Sequence, residues 1–334
     1  MYSLRPCFYW FLFQVFPFPK EGSIKLEDSP HPAIQKQLSG LVCYLVGLLV
    51  RISLDLSKFH IGEFLHTKSK YIRLACSWIF NAVYALAGVS FWRGVWFLMK
   101  LDIGVGTVQL FVVFCGSLAV LIFTNVPKSL ISPPLAISLD KHEVTFQNGT
   151  FFRKTPDAGC WFLIDVIFTN LVIRQLIVFC WWSLWSLENK FLFKNYMGIK
   201  EFNVSYDSLF LGYVGAILTV ALDKLIQNVS IPKLYIKNPA ATLVACLAFF
   251  SSVNVWRGVW SMLDHYFLPH LDHDENYIIG HIAGIVALTC MMVANTISND
   301  SIVLDSETEN AVNIGYWRQK TRKEEQEEMV PIIE

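Results

Sequence analysis

The sequence is poor in charge: only 16% of its 334 residues are Asp, Glu, Lys or Arg, whereas 54% are hydrophobic. Its mean hydropathy of +0.44 is too high for the surface of a soluble domain of this length. The formal net charge is zero, and we found no block of basic residues, so we expect no nucleic-acid partner. The composition predicts a polytopic membrane protein with lipids, membrane proteins or small solutes as partners.

Catalytic signatures are also missing. We found no glycine-rich phosphate loop, no G-x-S-x-G, no H-E-x-x-H and no paired-cysteine zinc motif. We therefore expect no enzymatic activity, no catalytic residues and no cofactor. The cysteines lie in or beside apolar runs, which favours packing over a disulfide framework.

One stretch resembles a metal site in composition, because His265, His270 and His273 lie among the acidic residues of Asp264–Asn276. The spacing His270-x-x-His273 is compatible with one metal. A solvated acidic loop explains the same residues, and we favour that interpretation and predict no metal site.

Runs of about 20 apolar residues indicate membrane-spanning helices. Seven runs qualify: 39–56, 74–98, 103–126, 160–187, 204–222, 240–262 and 277–297. Residues 2–18 form an eighth apolar stretch that is short and interrupted by proline. It lacks a small-residue cleavage site, which disfavours a signal peptide.

The pentapeptide W-R-G-V-W occurs twice, at Trp92–Trp96 and Trp256–Trp260, and indicates an internal duplication. An offset of 164 aligns the two motifs, 168 aligns the preceding runs and 170 the following ones. Residues 2–18 then align with the C-terminal half of 160–187, as a first span lacking its first half. We predict an all-α fold of two parallel four-helix repeats with eight spans, divided into 1–126, a connecting loop 127–159, 160–298 and a tail 299–334.

Lys and Arg concentrate in alternate loops and in the tail, which places both termini and the connecting loop in the cytosol. In this comparison of loop charges, the second loop contributes Lys58, Lys68, Lys70 and Arg73. Three sequons, at Asn148, Asn228 and Asn299, would then face the cytosol and only Asn203 the outside, so glycosylation of Asn148 would overturn this topology. Asn148-Gly149 also predicts a hairpin turn in the connecting loop.

Each W-R-G-V-W motif places an arginine beside two tryptophans and a glycine near the end of a span. One interpretation is an interfacial belt, with the indoles at the headgroups and Arg93 and Arg257 reaching phosphate. The other is an interior interpretation, in which Arg93 and Arg257 face each other or a central cavity and supply positive charge to an anion or to partner acids. The glycines remove a side chain and permit close helix approach. The candidate functional residues are Trp92, Arg93, Gly94 and Trp96, with Trp256, Arg257, Gly258 and Trp260.

Charged residues within the spans are a second set of candidates, namely Arg51, Asp165 and Arg174. Asp165 and Arg174 are too far apart on one helix to pair, so each is expected to find a partner on a neighbour. Inter-helix pairing is one role; a path for a solute or ion is the other.

The twin segments F-W-R-G-V-W-F-L-M-K and V-W-R-G-V-W-S-M-L-D, within a duplicated multi-span chain, resemble the Fuseless family of invertebrate membrane proteins from about Gly40 to Ser301. The resemblance implies a presynaptic plasma-membrane protein that organises calcium channels and supports transmitter release, with voltage-gated calcium channels among its partners. The alternative is a transporter or channel-like protein that passes a small solute or ion between the two repeats.

Overall fold

In a computed structural model, the described residues are 32–102, 106–137, 140, 145–146, 150–152, 154–193, 202–228, 237–266 and 273–298. Their regular secondary structure is entirely helical, as predicted. The long helices are α1 (Pro32–His66), α2 (Lys70–Asp102), α3 (Thr107–Phe123), α4 (Cys160–Phe191), α5 (Phe202–Asn228), α6 (Lys237–Tyr266) and α7 (His273–Cys290), followed by the short α8 (Asn295–Ser298).

Five of the described helices are long and apolar enough to cross a membrane: Leu38–His66, Lys70–Leu101, Cys160–Phe191, Ser205–Ile226 and Pro239–Leu263. A helix satisfies its backbone hydrogen bonds internally, which lipid cannot do for it, so long apolar runs in a bilayer fold this way. The chain is therefore a multi-pass helical membrane protein. The 17-residue α3 is a shorter apolar helix.

Helices α3 and α7 end before the predicted spans 103–126 and 277–297 do, because each terminates in the same kind of cap. A left-handed residue stops each helix, Asn125 at φ 56° and Met292 at φ 59°. The next residue is a buried valine, whose N–H bonds back to a carbonyl at 2.9 Å, Val126 to Leu121 and Val293 to Leu288. This is the Schellman arrangement, which satisfies the last carbonyls of a helix.

Helices pair closely where glycine removes a side chain. On α1, a Cβ at Gly47 would lie 2.7 Å from the carbonyl oxygen of Ala87 on α2. On α5, a Cβ at Gly212 would lie 2.6 Å from the backbone nitrogen of Val255 on α6. The α1–α2 and α5–α6 pairs are thus the two tightly packed hairpins of the fold. Helix α4 packs on α1, α2 and α3 and also contacts α6.

The connecting segment is partly described. It begins with a 3₁₀ turn at Pro127–Leu130 and ends with another at Pro156–Ala158. Ser132 exchanges two hydrogen bonds of 3.2 Å with the Ser252 hydroxyl of α6 through its N–H and carbonyl. The predicted hairpin turn at Asn148-Gly149 lies outside the described residues.

Candidate functional site

A buried ion-pair cluster joins α4 to the α1–α2 hairpin. Arg174 of α4 donates from Nη1 to Asp55 of α1 at 2.6 Å. Lys58, one turn along α1, lies 3.2 Å from the other carboxylate oxygen of Asp55. Tyr84 of α2 accepts from Arg174 at 2.5 Å and donates to Asp55 at 3.3 Å. We call Asp55, Lys58, Tyr84, Arg174 and Asn170 the Asp55 cluster.

The local backbone of α4 sets this geometry. A π-helical segment, Thr169–Ile173, interrupts α4 just before Arg174. Asn170 within it donates to Asp55 at 2.9 Å and accepts from Arg174 at 2.6 Å, so amide and guanidinium converge on one carboxylate. π-Helical turns of this kind occur often at functional sites. The Asp55 cluster is therefore hydrogen-bonded within itself as well as ion-paired.

Arg51 of α1 lies beside this cluster and is 1% exposed. Its guanidinium carbon lies 4.9 Å from the centre of the Tyr84 ring and 5.8 Å from that of Phe91. Gly88 of α2 makes room for it, since a Cβ there would come within 3.3 Å of Nη1. Aromatic faces stabilise a cation through their quadrupole. Arg51 is thus an interior residue.

Asp165 has a different partner, the connecting segment. Its carboxylate accepts from the backbone N–H of Phe152 at 2.8 Å, from that of Lys154 at 2.9 Å and from the Thr150 hydroxyl at 2.5 Å. It is completely buried. Arg174 finds its partner on a neighbouring helix, as predicted. Asp165 does not: its partners lie in the connecting segment, whose end it fastens to α4.

Replacing Asp165 by Asn is expected to loosen the connecting segment, because an amide cannot accept three hydrogen bonds as a carboxylate does. Limited proteolysis in membranes should then cut between residues 150 and 154 several times faster than in the wild type. Asp157→Asn is the matched control, since Asp157 is exposed. Equal cleavage of both variants would contradict the anchoring role.

A second buried ion-pair cluster joins α4 to α6. Arg257 lies 2.9 Å from the Glu188 carboxylate and donates to the Trp185 carbonyl at 2.8 Å. Asn254 donates to the other oxygen of Glu188 at 2.9 Å. The guanidinium carbon of Arg257 lies 4.6 Å from the Trp185 ring centre and 4.8 Å from that of Phe193. We call Glu188, Asn254, Arg257 and Trp185 the Glu188 cluster.

The interior interpretation therefore holds for Arg257, which is 3% exposed. Its neighbour Trp256 is 38% exposed and donates to the Pro133 carbonyl at 2.9 Å, so it holds the connecting segment. The corresponding Arg93 is half-buried on α2. The two arginines of the repeated motif thus lie in different surroundings.

Helix α4 brings the two motifs together. From the first motif, Trp92 packs edge-on against Trp181 at 5.6 Å, and Trp96 against Trp185 at 5.8 Å, between ring centres. From the second motif, Arg257 covers the same Trp185. Edge-to-face aromatic pairs and cation–π contacts each add to ordinary burial. Trp185 is thus shared by both copies of the motif.

Both motif glycines lie at close helix crossings, as the sequence predicted. A Cβ at Gly94 would come within 2.5 Å of the Tyr44 Cα on α1, and one at Gly258 within 2.9 Å of the Leu209 nitrogen on α5. Their backbones leave no space for a side chain, so the hairpins would have to open to accept one.

Gly94→Ala is expected to destabilise the protein by about 1–3 kcal/mol through overpacking. Gly116→Ala on α3 is the matched control, because nothing lies within 4 Å of a Cβ there and alanine favours the helix. Thermal unfolding in detergent checks this: the melting temperature should fall for Gly94→Ala and stay level or rise for Gly116→Ala. Equal melting temperatures would mean that the crossing is not tight.

Sequence reasoning missed both acids that pair with the interior arginines. Neither Asp55 nor Glu188 was among the candidates. The available signal was that a buried arginine needs an acid as its partner. Lys58 was wrongly counted with the second loop, because α1 continues to His66 and Lys58 is 3% exposed within it.

The histidine-rich stretch lies in a part of the chain whose side chains are not described. Among the described residues, no group of three possible metal ligands was found.

Comparison with known proteins gives one family. The profile of the Fuseless family matches residues 21–298, which is most of the chain. The chain belongs to the Fuseless family. No curated protein and no solved structure shows significant similarity to it. Both ion-pair clusters and both W-R-G-V-W motifs lie inside the matched region.

Proposed function

We propose that this Fuseless protein is a non-enzymatic organiser of the presynaptic plasma membrane, which positions voltage-gated calcium channels and thereby supports transmitter release. Membership of the Fuseless family over residues 21–298 is the observation that carries the proposal. The family role implied by the resemblance is organisation of channels, without an established catalytic or transport activity. On this proposal the chain binds membrane proteins through its loops and its lipid-facing helix surfaces.

The state of the interior charges supports an organiser over a transporter. Arg51, Asp165 and Arg174 are 1%, 0% and 6% exposed. Asp165 and Arg174 are engaged by protein groups, as the ion pair and hydrogen bonds above describe. A solute path lined by these residues would have to break buried pairs, which costs several kcal/mol. Meanwhile large apolar side chains such as Val108, Phe123 and Phe210 face outward.

The architecture proposed with this function is a tandem duplication of four-helix units with eight spans. Equivalent glycines support it: Gly47 faces Ala87, and Gly215 faces Ser251, at offsets of 168 and 164. So do the two identical caps at Asn125 and Met292, which are 167 residues apart and not 170 as aligned from sequence.

The short helical segments that follow these two caps each pack on a helix of the other unit. The turn Pro127–Leu130, which directly follows the first unit, packs on α6 of the second. Helix α8, at the end of the second unit, packs on α2 of the first through the Asn81–Asn295 hydrogen bond. Mutual exchange of this kind is what a two-fold relation produces. On this proposal the axis runs along the membrane normal, because each unit has an even number of spans, and the distribution of Lys and Arg puts both termini in the cytosol.

A rescue experiment tests the function. Neurons lacking the endogenous family member would be supplied with the tagged full chain, and calcium-channel density at presynaptic sites and evoked release would be measured. We expect both to recover and calcium channels to co-purify with the tagged protein. Recovery without any change in channel density would contradict the organising role. So would solute or ion flux through the purified protein in liposomes.

A further inference from the structure

The two hairpins differ in how well equivalent positions are covered. On α2, Val95 and Met99 are 2% and 6% exposed. Their equivalents on α6, at the offset of 164, are Val259 and Leu263, which are 40% and 41% exposed. The residues are of similar size and polarity, so the difference lies in what packs against them.

The C-terminal half of α4 covers the first pair. Val95 and Met99 belong to a core cluster with Val178, Trp182 and Leu187 of α4. The N-terminal half of α4 covers the part of the α1–α2 hairpin that contains Asp55 and Tyr84, through the Asp55 cluster. A whole helix therefore lies along the first hairpin.

The second hairpin is covered only in part by what the structure describes. Leu135 of the connecting segment packs on Ala216 and Ala248, the equivalents of Leu48 and Tyr84. Ser252 and Trp256 hold the same segment by hydrogen bonds. Val259 and Leu263 lie beyond it, at the level that the C-terminal half of α4 occupies on the first hairpin.

We infer that the α6 face formed by Val259 and Leu263 binds residues 2–18 of the same chain. This segment, Y-S-L-R-P-C-F-Y-W-F-L-F-Q-V-F-P-F, aligns with the C-terminal half of α4, with Cys7 on Cys180. It then carries Phe8 and Tyr9 where α4 has Trp181 and Trp182. It therefore matches the half of α4 whose equivalent place the described residues leave exposed, while the connecting segment occupies the place of the other half.

Chain length is compatible with this placement. After α4, the chain crosses from the first hairpin to the second between Phe191 and Phe202. Residues 2–18 are separated from Pro32, the start of α1, by a slightly longer stretch. The stretch between residue 18 and Pro32 is therefore long enough for residues 2–18 to lie on the second hairpin while α1 lies in the first.

Packing supplies the attraction. Lipid tails are as apolar as leucine, so helices associate in a membrane through close contact and not through the hydrophobic effect. Aromatic side chains provide large contact areas and favourable edge-to-face geometry, as Trp181 and Trp185 do on the first hairpin. The face on α6 offers Trp256 and Trp260 at the equivalent positions.

Photo-crosslinking of the full chain in membranes tests the inference. p-Benzoylphenylalanine would replace Val259 or Leu263, and adducts would be mapped by mass spectrometry. We expect adducts within the same chain to residues 2–18. Adducts to lipid alone, the absence of any adduct, or a crosslinked dimer indicating a second copy would each overturn it. Val108 and Phe123 of α3, 74% and 88% exposed, are control positions at which only lipid adducts are expected.

A second variant separates binding from proximity. Phe8→Asp with Phe11→Asp is expected to reduce the adduct from position 259 at least tenfold, with the elution of the purified protein from size exclusion unchanged. An unchanged adduct yield would overturn the packing. The inference rests on the proposed duplication and not on the synaptic role, so a failed neuronal rescue would leave this crosslink intact.

Discussion

Arg174→Gln is expected to destabilise the folded protein by about 3–5 kcal/mol, because it leaves the Asp55 carboxylate buried with one of its two cations removed. Asp55 is 1% exposed, so water cannot replace the lost guanidinium. Thermal unfolding of the detergent-purified protein, followed by size exclusion after heating, measures the loss. We expect a much lower melting temperature or little recoverable monodisperse protein.

A double-mutant cycle distinguishes pairing from packing. Asp55→Asn alone should destabilise strongly, because it strands Arg174 and Lys58 together. The double variant, Asp55→Asn with Arg174→Gln, should be more stable than the sum of the single losses predicts, since it strands only Lys58, whereas Asp55→Asn alone strands two cations. Strict additivity would contradict a direct Asp55–Arg174 interaction.

Arg257→Gln is expected to cost a similar amount, whereas Arg93→Gln should cost less than about 1 kcal/mol. The two variants change the same residue in the same pentapeptide. Arg257 is 3% exposed and lies 2.9 Å from Glu188, while Arg93 is half-buried. Their melting temperatures under identical conditions provide the comparison.

Glu188→Gln checks the cause of this difference. It should lower stability about as much as Arg257→Gln, because each removes one charge of the same pair and strands the other. Equal small effects of Arg93→Gln and Arg257→Gln would show instead that both arginines serve as an interfacial belt.

Much of the fold followed from the sequence. Apolar runs of sufficient length predicted the positions of the helices, because a bilayer admits little else. The pentapeptide led to the family and marked the glycine crossings, since Gly94 and Gly258 act through a missing side chain that sequence shows directly. The helix ends were predicted less well: α1 extends past Lys58, and α7 stops at Cys290, where a cap of ordinary residues gives no strong signal.

The charge partners could not be predicted. Asp55 and Arg174 are 119 positions apart, and Glu188 and Arg257 lie on helices whose contact depends on the packing of the whole bundle. The same holds for Asp165, whose partners are backbone N–H groups of a loop and leave no pattern in the side-chain sequence. Local periodicity determines helices, whereas tertiary packing determines which buried charges meet.

Co-purification of the chain expressed as two fragments, 1–141 and 142–334, tests most directly whether α4 holds the two halves together. The Asp55–Arg174 pair joins the fragments, whereas Arg257 and Glu188 both lie in the second. We predict that the wild-type fragments co-purify from membranes, that Arg174→Gln removes most of the bound partner, and that Arg257→Gln removes much less. Association that survives Arg174→Gln unchanged, or that falls equally with both variants, would contradict this role of α4.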